Sequence, residues 1–195
     1  MSYKGSNILA VIPARGGSKG IPRKNLCKVG GISLVGHAVT AARSLDWIDR
    51  TIVSTDDEQI AAEGRKYGAA VPFMRPAELA SDQARSTDMW QQAWLASEDH
   101  FKETYDISIL LEPTSPLRRP QDILDTVDTL IESGCDAAAT FSRAPAHSAV
   151  QHSPENPGLL LSQWYLLCRP TPYPAGKRDD HRRKLQGRNH RKTGC

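Results

Sequence analysis

Apolar residues arrive in this chain as short unbroken runs, and the first is the strongest. Residues 8–12 read Ile-Leu-Ala-Val-Ile, the mark of a strand buried on both faces. Comparable runs predict strands over 49–55 and 106–111, with shorter ones over 69–73 and 136–141. Between them the apolar spacing turns helical. After a Gly30-Gly31 turn, Leu34, Val35, Ala38, Val39, Ala42 and Leu45 line one face. Residues 58–67 read as a short helix stopped by Gly68. Ser86 is placed to cap a helix running to about residue 101, with Met89, Ala93 and Trp94 inward. Pro120 opens another, striped by Ile123, Leu124, Val127, Leu130 and Ile131. Segments 75–85 and 112–119 read as loops.

This alternation predicts an α/β fold, a Rossmann-like three-layer sandwich whose mostly parallel sheet is covered on both faces. Ligands of such sheets sit outside the carboxyl ends of the strands. Four polar segments follow predicted strand ends: residues 13–25, Ser54-Thr55-Asp56, 75–86 and 112–119. They are expected to converge on one crevice, although the chain separates them widely.

The loop after the first strand, P-A-R-G-G-S-K-G-I-P-R-K-N, carries the chemistry. Its glycines let backbone N–H groups face a ligand, and Arg15, Lys19, Arg23 and Lys24 add charge-assisted donors. The first acid of the chain is Asp46, after seven cations. No G-K-[ST] closes the loop as in a P-loop, and no G-x-G marks a dinucleotide site. Read from its residues alone it is an anion-binding loop, with a solvated basic turn as the alternative; four cations without a local acid weigh toward the former.

Charge and cysteines narrow the class. The net charge of +3 is uneven: residues 151–195 hold nine Lys and Arg against three Asp and Glu, and the rest of the chain is mildly acidic. The basic tail lacks the aromatic interleaving or helical charge period of a nucleic-acid surface, so no nucleic-acid partner is expected. No apolar run has the length of a membrane span, and no hydrophobic region precedes Asn7, so neither membrane insertion nor a secretory signal is predicted. Cys27, Cys135, Cys168 and Cys195 are scattered, without a C-x-x-C pair, which fits a reduced, cytoplasmic setting.

Five segments occur in order: I-P-A-R-G-G-S-K-G-I-P-R-K-N, G-I-S-L-V-G-H-A, I-V-S-T-D, R-P-A-E-L-A-S-D and P-T-S-P-L-R. Together they resemble the acylneuraminate cytidylyltransferases, or CMP-N-acylneuraminate synthetases, over about residues 7–147. Kdo cytidylyltransferases are relatives whose first loop usually reads differently. The resemblance implies a fold of the nucleotide-diphospho-sugar transferase type. It also implies a reaction in which CTP and an acidic nine-carbon sugar give the CMP-sugar and pyrophosphate. By the same resemblance Ala14, Arg15, Gly17, Ser18, Lys19, Lys24 and Asn25 bind the nucleotide, with Arg15, Ser18, Lys19, Lys24 and Asn25 at its triphosphate. Arg15, Lys19 and Lys24 are then the catalytic cations. Arg75, Ala84 and Ser86 surround cytosine and ribose, and Glu112, Thr114, Ser115 and Arg118 face the sugar. Glu112 departs from an expected glutamine, and points to a sugar with a cationic or donor substituent unless it turns away or pairs with Arg118 or Arg119.

Other striking residues have plainer readings. Asp56 and Asp57 are expected to cap the next helix before touching a metal. His37 reads as a packing or surface residue, and Trp90 and Trp94 as core. Cys27 has no base beside it in the motif.

The tail, residues 148–195, stands apart from the domain over 1–147. The family's R-N-G segment, dimerisation hairpin and late acidic pair for magnesium are not visible there, so homodimer contacts are expected to be lost and no metal ligand is assigned. Asp179-Asp180 sits among Lys177, Arg178, Arg182 and Arg183 with no buried strand before it. Codons permitted for residues 159–170, read one nucleotide later, encode Y-Y-Y-R-N-G-I-C-Y-A-V. That result predicts a frameshift between about 144 and 158, an incomplete C-terminal part, and a chain that is weakly active or an inactive CTP-binding remnant.

Overall fold

The computed structural model describes residues 2–18, 20–140 and the backbone of 165–168. Strand β1 (Ile8–Pro13) is its centre. Ile8, Ala10, Ile12 and Ala14 face one apolar cluster, while Leu9 and Val11 face another. That two-sided burial is why the run is continuously apolar and not alternating. Each fully buried Ile or Leu contributes roughly 1.5–3 kcal/mol by leaving water.

After a 3-10 turn (Lys24–Leu26), a small hairpin of β2 (Lys28–Val29) and β3 (Ile32–Ser33) turns at Gly30-Gly31, both with positive φ. Helix α1 (Leu34–Arg43) follows, and the Ser33 hydroxyl caps it by accepting the Gly36 N–H. β4 (Arg50–Ser54) leads to α2 (Glu58–Lys66), whose amides Gln59 and Ile60 are capped by the Asp57 carboxylate. Next come α3 (Ala77–Ala80), α4 (Ser86–Phe101), β5 (Ile107–Leu111) and α5 (Pro120–Ser133). β6 (Ala137–Ala138) and β7 (Tyr165–Cys168) complete the sheet, whose order is β4-β1-β5-β7-β6.

β4, β1 and β5 pair in parallel, and β7 runs antiparallel between β5 and β6. α1, α2 and α5 cover one face, with Val35, Val39, Ile60, Ile123, Val127 and Leu130 in its cluster. α4 covers the other through Met89, Trp90, Ala93 and Trp94. The molecule is an α/β three-layer sandwich, as expected. Trp90 and Trp94 are core residues, and the Trp90 indole donates to the Ser108 hydroxyl at 2.7 Å.

Four expectations need correction. The strand over 69–73 is a single parallel bridge, Ile52 to Ala70, because Pro72 has no N–H to donate and ends any ladder. The loop over 75–85 contains the turn of helix α3. Ser86 does not cap α4; Arg85 is the extended cap residue, without a side-chain bond, and Ser86 is the first helical residue. The strand over 136–141 is reduced among the described residues to Ala137–Ala138. Within the tail, the apolar Tyr-Leu-Leu-Cys run forms β7 by pairing with β5; Phe141, Asp179 and Asp180 lie outside the described residues.

Candidate functional site

Because β1, β4 and β5 are parallel neighbours, their carboxyl ends open on the same edge of the sheet, and the loops they release meet there. A cavity of about 470 Å³ lies between them. Its wall takes Arg15, Ser18, Gly20, Lys24 and Asn25 from the first loop. Arg75, Asp82, Ala84, Arg85 and Ser86 come from the segment before and into α4, and Glu112, Pro113 and Thr114 from the loop after β5. Leu79 and Met89 supply apolar wall. Nine of the residues singled out in the sequence therefore share one cavity: Arg15, Ser18, Lys24, Asn25, Arg75, Ala84, Ser86, Glu112 and Thr114.

Four others stand off that wall. Ala14 is fully buried, and its N–H donates to the Ser54 carbonyl at 2.9 Å, so the group is committed to the sheet. Gly17 is exposed. Ser115 and Arg118 are buried within the loop after β5, and Arg118 Nη2 donates to the Glu112 carbonyl at 2.5 Å. Arg118 thus shapes the loop from within. Lys19 lies outside the described residues.

The first loop is held by acids that follow β4. The Gly16 N–H donates to Asp56 Oδ1 at 2.9 Å, and a Cβ on Gly16 would lie 3.0 Å from Asp57 Cβ. Asp57 caps α2, as read from the sequence, whereas Asp56 binds the loop. The Asn25 amide donates to the Arg15 carbonyl at 3.0 Å. The cations divide. Arg15 and Lys24 reach the cavity, while Arg23 turns away and donates to Gln59.

Arg15 is not bare. Its guanidinium pairs with Asp82 at 2.6 Å, a contact between partly exposed side chains. Asp82 stands in the R-P-A-E-L-A-S-D segment, but only proximity reveals its partner. Arg75 is deeply buried, donating from Nε to the Ser54 hydroxyl at 3.1 Å and from Nη2 to the Ser54 carbonyl at 2.5 Å. Burial pushes this guanidinium down to about 10, with Asp56 and Glu112 opposing and Arg15 adding to the fall. It remains a cation at neutral pH.

Glu112 is half-buried on the wall. Burial raises its carboxyl above the ordinary range, and Lys24, Arg118 and Arg75 pull the other way. It neither turns away nor takes Arg119, which pairs with Asp122 at 2.6 Å. His37 Nε2 donates to the Val29 carbonyl of the hairpin at 2.7 Å and does not line the cavity. Cys27 is exposed and free. No group of three or more His, Cys, Asp or Glu among the described residues suits a metal ion. The cavity's two carboxylates face cations, so this donor set does not fit a protein-held magnesium. No helix among the described residues is long and apolar enough to cross a membrane.

The flagellin modification protein B of Campylobacter coli is 37% identical over 135 residues, 69% of this chain and 57% of its own. The CMP-N,N'-diacetyllegionaminic acid synthase of Legionella pneumophila is 39% identical over 123 residues, 62% of this chain and 52% of its own. The chain spans about half the length of such curated relatives. A solved CMP:2-keto-3-deoxy-manno-octonic acid synthetase, in complex with CTP, superposes with a TM-score of 0.59. It is 19% identical and covers 93% of this chain and 78% of its own, a likeness of fold. The family model described as Cytidylyltransferase matches residues 9–177, running beyond residue 147 into the tail. Its match over most of the chain places this protein in the cytidylyltransferase family.

Proposed function

We propose that the chain transfers a cytidylyl group from CTP to an acidic nine-carbon sugar, releasing pyrophosphate. The observation that carries this reading is the shared cavity: the basic glycine loop and the Glu112–Thr114 turn both line it. Attack on a polyanion by an anionic sugar needs neutralised charge and alignment more than covalent help. Arg15, Ser18, Lys19, Lys24 and Asn25 take the phosphates in this reading. Arg75, Ala84 and Ser86 take the nucleoside, and Glu112 and Thr114 take the sugar, with Ser115 and Arg118 supporting their loop. The names of the curated relatives support a sugar of the legionaminic, pseudaminic or neuraminic type. Magnesium is the family's expected helper, and the described residues assign it no ligand. With residues 148–195 as an aberrant tail, turnover is expected to be slower than in a chain whose frame is restored.

Pyrophosphate release from CTP, measured with a panel of nine-carbon acids and beside direct CTP binding, tests this. Release with at least one such acid is expected. Binding without release would identify an inactive CTP-binding remnant, release with an eight-carbon acid alone would favour the Kdo type, and no CTP binding would end the reading.

A further inference from the structure

Among the described residues Arg15, Lys24, Arg75 and Arg85 are the cations that line the cavity. Three of them already face a group of the protein. Arg15 holds Asp82 at 2.6 Å, Arg75 is committed to Ser54, and Lys24 faces Glu112. Arg85 differs. It is exposed on the wall, and among the described residues its side chain has no hydrogen-bond or ion-pair partner. Asp88, the acid in the first turn of α4, does not take it.

The backbone of Arg85 is nonetheless fixed. Its carbonyl accepts from the Asp88 N–H at 3.1 Å and from the Met89 N–H at 3.2 Å, and Met89 and Trp90 anchor that turn in the core. A guanidinium on a fixed stem, open to a cavity and without a partner, offers its fork of donors to an anion. The neighbouring contacts indicate which anion. The Ala84 N–H donates to the Ser81 carbonyl at 3.3 Å, so Asp82 and Arg85 belong to one tight turn. Asp82 in turn holds the Arg15 guanidinium, which sets the first loop against this turn. A phosphate that replaces Asp82 on Arg15 therefore lies beside the turn that carries Arg85. The displaced Asp82 carboxylate would then repel that phosphate, and a cation three residues on offsets it.

We propose that Arg85 is a binding residue for the triphosphate of CTP, reaching it from the start of α4 while Arg15 and Lys24 reach it from the first loop. The role is binding by charge and paired donors, with no part in proton transfer. It rests on the reading of the cavity as a CTP site, but not on turnover.

Titration with CTP and with cytidine tests the assignment, by calorimetry for the first and by NMR for the second. In Arg85→Ala the CTP dissociation constant should rise about tenfold at low salt, the scale of a lost charge-assisted hydrogen bond to an exposed group, while that of cytidine changes by less than about twofold. The difference for CTP should narrow as salt is added. Arg85→Lys should fall between native and Arg85→Ala, because it keeps the charge and loses the fork. Arg85 gives α4 no side-chain cap, so both variants should melt like the native chain. The loss should also persist when Arg85→Ala is made in an Asp82→Asn chain.

Native CTP affinity in Arg85→Ala, or an equal loss for CTP and cytidine, overturns the assignment. So does a loss that disappears in the Asp82→Asn chain, since Arg85 would then act only by drawing Asp82 off Arg15. A variant altered only in KM for the acidic sugar would move Arg85 to the sugar's carboxylate and overturn it too. A native chain that binds no CTP overturns both this and the preceding reading. One that binds CTP and releases no pyrophosphate ends the transfer reading alone, and the same titrations still decide the role of Arg85.

Discussion

The Asn25 side-chain amide donates to the Arg15 carbonyl oxygen at 3.0 Å, tying the far end of the glycine loop to its start. Asn25 is only 5% exposed, so the bond is partly shielded from competing water. Asn25→Ala would leave that carbonyl without its partner, at a cost of about 1–3 kcal/mol. The expected result is a CTP dissociation constant raised about tenfold or more, with a lower melting temperature. Calorimetric titration with CTP checks it, and native affinity would mean that the loop holds its shape without this bond.

Arg15 pairs with Asp82 at 2.6 Å, and a triphosphate would have to take that place. The two side chains are 33% and 39% exposed, and a pair so placed is worth about 0–1 kcal/mol. Asp82→Asn should therefore tighten CTP binding by up to about fivefold at low salt. The gain should shrink as ionic strength rises, because added salt already weakens the native pair. Weaker binding in the variant would show that Asp82 helps to hold the ligand.

Gly16 and its neighbour Gly17 make an internal control. A Cβ on Gly16 would lie 3.0 Å from both Asp57 Cβ and Asp57 Oδ2, whereas one on Gly17 meets nothing within 4 Å. Gly16→Ala should push the loop off the Asp56-Asp57 turn and cost about 1–3 kcal/mol. Gly17→Ala should melt like the native chain. Thermal melts of the two proteins side by side make the comparison, and equal melting temperatures would disprove the close approach.

Glu112 also makes a prediction about stability. Its carboxyl is raised in the folded chain, chiefly by burial, so the folded state binds the proton more tightly than the unfolded one. Stability from this group is then present below its unfolded value and lost as pH rises through its raised folded value. Glu112→Gln removes that loss. The variant should melt higher than the native chain at neutral pH, and the difference should close as the medium is acidified below the ordinary carboxylate range. A difference that persists in acid would place its cause in packing and not in ionisation.

Much of the fold was legible because central strands and amphipathic helices leave patterns that need no partner to be named. The runs at 8–12 and 106–111 became β1 and β5 because a strand buried on both faces must be apolar throughout. Pro120 and Asp57 marked helix starts that the structure uses, Pro120 as the first residue of α5 and Asp57 as the cap of α2. Helix α3 and strand β7 were not legible. A four-residue element has too little period to read, and β7 depends on the edge that β5 offers it. Ser86 misled because an N-terminal serine has the cap's chemistry whether or not its hydroxyl is used.

What the sequence determined by itself was the list of loops and their common edge, since parallel neighbouring strands must release their chains at the same end. It also carried the chemical character of the first loop, because glycine and cation content does not depend on tertiary contacts. Only the tertiary structure decided which of those charges are usable. It set Asp82 on Arg15, turned Arg23 toward Gln59, sank Arg118 into its loop and left Glu112 on the cavity wall. The physical reason is that pairing and desolvation depend on distances through space between residues far apart in the chain, which no local pattern records.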